Sequence, residues 1–122
     1  MQTLADIAVF CVALLHLCFL MLEMILWNRK SGRRLLGLDA EFARSTRRLA
    51  ANQGLYNGFL AAGLLWSLLD EQFAWPLQLF FLSCVIIAGI FGALSVNRQI
   101  IWIQALPGAI ALVLVFLAQS TY

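Results

Sequence analysis

The sequence predicts an all-α membrane protein: a four-helix transmembrane bundle, N-out and C-out, with an amphipathic interfacial helix between helices one and two. Three observations lead there. The 122 residues are 63% hydrophobic and only 11% charged, with a mean hydropathy of +0.90, against a charged fraction of about 25% in soluble domains. Four stretches approach the roughly 20 apolar residues needed to cross a bilayer. Lys and Arg are confined to two of the loops between them. Disorder and nucleic-acid binding are excluded at the outset, because the chain is too apolar and its eight basic residues face six acidic ones.

The spans run from Leu4 to Trp27, Leu49 to Leu69, Leu77 to Val96 and Ile100 to Ala118. They leave no room for a soluble domain, so residues 1–122 are expected to form a single four-helix transmembrane domain. Span one resembles a signal peptide only superficially. It has Asp6 and no basic residue ahead of it, and it runs far beyond a 7–15 residue apolar core. Between spans one and two lies the cytoplasmic loop, residues 28–48, with Arg29, Lys30, Arg33, Arg34, Arg44, Arg47 and Arg48; Arg98 sits in the turn after span three. The loop after span two and both tails hold no Lys or Arg, which orients both termini outward by the positive-inside rule. Trp27 and Trp102 then mark the inner interface, and Trp66 and Trp75 the outer one. In the long loop Leu35, Leu38 and Phe42 share a helical phase. Asp39 is placed to cap a helix from Ala40 that continues into span two, its arginines reaching toward anionic lipid headgroups.

The residues that carry function are those that are costly in lipid. An ionisable group in mid-membrane costs on the order of 2.5–3.5 kcal/mol on insertion scales and faces the bundle interior or water. Span one carries His16 and Glu23, seven residues apart and so on one face of a regular helix. Span two carries Asn52 and Tyr56 on one stripe, Gln53 and Asn57 on the next, and Gly54, Gly58 and Ala62 on the opposite side as a seam of small residues. Span three carries a second seam with Gly89 and Gly92, and span four carries Gln104 ahead of Pro107. His16, Glu23, Asn52, Gln53, Tyr56, Asn57 and Gln104 are therefore the candidate ligand-binding residues of an inner-leaflet pocket. Glu23 and His16 are the candidates for acid and base roles. The bland alternative for the amides is interhelical hydrogen bonding, worth about 0.6 kcal/mol each. Gly54, Gly58, Gly89 and Gly92 are also candidate seams for a homo-oligomer. One His and one Glu make an incomplete metal site, and no cofactor is called for. Cys11, Cys18 and Cys84 lie in apolar spans and form no disulfide framework.

Four segments carry a family resemblance: His16 to Met24, Ala50 to Phe59, Ala88 to Leu94 and Gln104 to Pro107. Together they resemble the bacterial integral-membrane family known as domain of unknown function 1304. The resemblance spans essentially the whole chain and implies a four-helix inner-membrane protein without assigning an activity. Three readings remain open: a binder, or enzyme, for a small lipophilic or lipid-like ligand around Glu23; a dimeric proton-coupled exporter; and a scaffold or assembly subunit.

Overall fold

The computed structural model describes residues 1–120, which are helical throughout apart from turns. Five α-helices follow in order: α1 (Gln2–Leu20), α2 (Lys30–Leu36), α3 (Ala40–Leu69), α4 (Ala74–Ser95) and α5 (Leu106–Gln119). Two π-helical segments interrupt the pattern, Met21–Leu26 directly after α1 and Ile101–Ala105 directly before α5. Three stretches are long and apolar enough to cross a membrane: Gln2–Leu26, Ala74–Ser95 and Ile101–Gln119. Helix α3 falls short because Asn52, Gln53, Tyr56 and Asn57 interrupt its apolar run.

The chain divides into two compact units, with the boundaries inside α1 and α3. The first unit combines Met1–Leu14 with Leu60–Tyr122. Its core is made of Ala5, Val9, Val12 and Ala13 from α1, Leu64 from α3, Leu82 and Val85 from α4, and Ala111, Val115 and Ala118 from α5. Spacings of three and four place each set on one helical face. The core side chains are mostly small, whereas larger ones line the outside. On α4 these are Phe80, Ile87, Phe91 and Leu94; on α5 they are Leu106, Ile110, Val113 and Leu117. Water would favour the reverse arrangement, and lipid makes it neutral, since tails are as apolar as leucine.

Helix α4 packs on α5 and on the second π segment. Gly89 makes this approach close: a Cβ there would stand 2.7 Å from Ala105 N. Asp70 organises the turn into α4, its Oδ1 accepting hydrogen bonds from Gln72 N and Phe73 N at 3.1 Å each. Asn97 does the same for the next turn, its Oδ1 accepting from Gln99 N at 2.9 Å.

The second unit is Leu15–Phe59. The expected cap is present: Asp39 Oδ2 accepts from Phe42 N at 3.3 Å, and α3 runs unbroken from Ala40. The single phase expected for Leu35, Leu38 and Phe42 is not. Gly37 ends α2 in the left-handed conformation, φ 66°, with the Leu38 amide donating to Arg33 O at 2.9 Å. That is how glycine closes a helix, and it separates Leu35 from Phe42 into two helices. Helix α2 folds back on the first π segment, where a side chain at Gly32 would collide with the Leu26 carbonyl.

Candidate functional site

Within the second unit the chain joins Glu23 to α3. Asn57 Nδ2 donates to Glu23 Oε1 at 2.7 Å, at the short end for an N–H···O bond, and both residues are partly buried. The contact depends on the small residues beside it. A Cβ on Gly54 would lie 3.0 Å from Glu23 Cβ and 2.6 Å from Met24 Cγ, and one on Gly58 would lie 2.7 Å from Leu20 Cδ1. These glycines let α3 approach the end of span one closely enough for a short amide to reach the carboxyl group. A second cross-link lies nearer the loop: Trp27 Nε1 donates to Thr46 Oγ1 at 3.0 Å.

The other predicted site residues are placed differently. His16 is fully buried and meets Phe19 edge to face, ring centroids 5.4 Å apart. The π segment begins between His16 and Glu23, so the stretch joining them is not the regular α-helix on which their shared face was expected. Asn52 and Gln53 are exposed on α3, as is Tyr56, which packs edge to face on Phe59. Gln104 belongs to the first unit, where its Nε2 donates to Val85 O at 3.3 Å. Its π segment precedes Pro107, which has no N–H to give; the Leu106 amide bonds back to Ile101 O instead. The two π turns thus hold Glu23 and Gln104, one predicted polar residue each. Gly54, Gly58, Gly89 and Gly92 all have atoms of their own chain where a side chain would go, so the close approach they allow is used internally.

Beside Glu23 the structure adds a feature of its own. An open groove of about 470 Å³ is lined by Met24, Ile25, Asn28, Arg29, Arg47, Arg48 and Ala51. Its lining combines three guanidinium groups and an amide with apolar side chains, and no carboxylate lines it. A second groove, about 420 Å³, holds Lys30, Arg33 and Arg34 along with Asp39. Arg44 is exposed on α3. Two buried polar residues went unmarked in the sequence, Ser67 and Gln78. Their signal was available, since each is a polar side chain inside an apolar run. Among the described residues no group of three or more His, Cys, Asp or Glu is arranged to hold a metal ion, and the three cysteines are free.

Comparison with known proteins adds the family. The model of the family described as "Protein of unknown function (DUF1304)" matches residues 10–116. The chain belongs to the DUF1304 family. It is also 27% identical over 115 residues to the uncharacterized protein YpaA of Lactococcus lactis subsp. lactis (strain IL1403), covering 93% of this chain and 97% of that protein. No solved structure matches it significantly. In this DUF1304 chain the matched segment includes all seven predicted site residues, from His16 to Gln104.

Proposed function

We propose that this protein is a four-span bundle of the bacterial cytoplasmic membrane, with both termini outside, that binds a small lipophilic or lipid-like ligand in the inner leaflet at Glu23. The observation that carries this reading is the 2.7 Å hydrogen bond from Asn57 to Glu23, next in the chain to Met24, which lines a groove of three arginines and apolar side chains. A carboxyl group in a span is retained at a cost, and holding it on an amide beside an amphipathic groove fits an amphiphile. Its charged head would lie against Arg29, Arg47 and Arg48, and its tail along Met24 and Ile25. Asn52, Gln53 and Tyr56 on α3 offer further polar contacts, and His16 is the remaining proposed residue of the same unit. Helix α3 serves as the fourth span in this reading, its polar block turned to the ligand.

Native mass spectrometry of the protein in mild detergent tests this. Wild type is expected to retain a lipid-like adduct that Glu23→Gln loses while remaining folded. Identical adducts on both proteins would refute a role for Glu23 in binding.

A further inference from the structure

A second pocket, in the first unit, shares no residue with the site around Glu23. It measures about 370 Å³ and is lined by Gln2, Asp6, Ser67, Leu68, Asp70, Glu71, Ala74, Gln78 and Gln119. Three carboxylates and three amides line it, with no Lys, Arg or His. Two of the carboxylates are held in place. Asp6 Oδ1 accepts from Gln2 Nε2 at 2.9 Å, and Asp70 Oδ2 accepts from Trp66 Nε1 at 3.2 Å while its Oδ1 takes the two turn amides. A carboxylate has about four acceptor positions, so both keep capacity for a further donor.

Gln78 is the observation that turns an acidic cluster into a site. It is only 2% exposed, yet it lines the pocket, and its amide makes no hydrogen bond to any described residue. Its neighbour Ser67, equally buried, donates to Leu64 O at 2.6 Å. Buried side-chain amides are normally paired, and one that faces an acidic pocket without a protein partner takes its partner from within the pocket. The carboxylates are not clustered for a metal ion. The volume falls within the range of small-molecule sites, and the lining is dominated by acceptors.

We infer that this pocket binds a small organic dication, an alkyl diammonium with one ammonium group on Asp6 and the other on Asp70 or Glu71, one of them also donating to the Gln78 amide oxygen. An ammonium group supplies three donors, and a carbon chain spans carboxylates that lie too far apart to share one metal ion. Isothermal titration calorimetry on the full-length protein in detergent, at fixed ionic strength, tests it with diaminobutane as the probe and butanediol and magnesium chloride as comparisons. Saturable binding of diaminobutane is expected, with none of butanediol. Asp6→Asn and Gln78→Leu should each weaken it about tenfold, the scale of one charge-assisted hydrogen bond. Equal affinity for butanediol, equal competition by magnesium, or undiminished binding by Asp6→Asn would overturn the proposal. Asp6 is at the pocket rim, so its variant decides the matter if Gln78→Leu does not fold.

Discussion

At the residue scale, Glu23 and Asn57 form the pair on which the site depends. Asn57→Leu removes the donor while keeping the volume, and leaves a half-buried carboxyl group without its amide. Stability should fall by about 1–3 kcal/mol, read as thermal unfolding in detergent. Glu23→Gln keeps an oxygen in the acceptor position and should remain within about 0.5 kcal/mol of wild type. If Asn57→Leu unfolds with wild type, the hydrogen bond has no structural weight. The sequence marked both residues as polar groups at one depth. Its stripes pointed to Asn52 or Tyr56 as the partner of the carboxyl group, and the structure uses Asn57 instead, because that choice depends on the rotation of α3. Gly54 and Gly58 settle it: the face they open is the one that can approach, and Asn57 stands beside Gly58.

At the element scale, α1, α4 and α5 were legible as apolar runs, and the start of α3 was legible from Asp39. Helix α2 was not, since Leu35 and Leu38 keep a helical phase across the Gly37 break. Nor were the π turns, whose extra residue per turn leaves the apolar composition unchanged. The seam of Gly54, Gly58 and Ala62 shows what spacing alone omits. Two of its members are packed against the end of span one, whereas Ala62 is exposed on the same helix. Gly54→Val and Gly58→Val should therefore each cost about 1–3 kcal/mol by overpacking. Ala62→Val should stay within about 0.5 kcal/mol. Equal effects at all three positions, measured by unfolding midpoint, would mean that the seam acts as one continuous surface and not through these contacts.

At the scale of the whole molecule, the charge pattern and the packing pattern lead to the same solvent. Small side chains fill the core of the first unit while Phe91, Leu94 and Ile87 remain 71%, 84% and 67% exposed, an arrangement that water disfavours and lipid tolerates. Orientation within that lipid rests on Arg and Lys alone: seven of the eight lie between Asn28 and Arg48, and the eighth is Arg98. With Cys11, Cys18 and Cys84 replaced by serine, single cysteines at Ser31 and Gln72 should report opposite sides of the membrane. A membrane-impermeant maleimide added to intact spheroplasts is expected to label Gln72→Cys and to leave Ser31→Cys unlabelled until the membrane is opened. The reverse pattern would invert the proposed topology. Labelling of both sites from outside would place α3 outside the bilayer altogether, because an even number of crossings would then separate the two positions. The polar block of α3 makes this a demanding test. Its four polar side chains keep it below the apolarity of the other three spans, so it crosses only if those groups find partners inside, as Asn57 does on Glu23. Adding Glu23→Leu to the Gln72→Cys protein removes that partner, and maleimide labelling should then become mixed as a fraction of chains fails to insert α3.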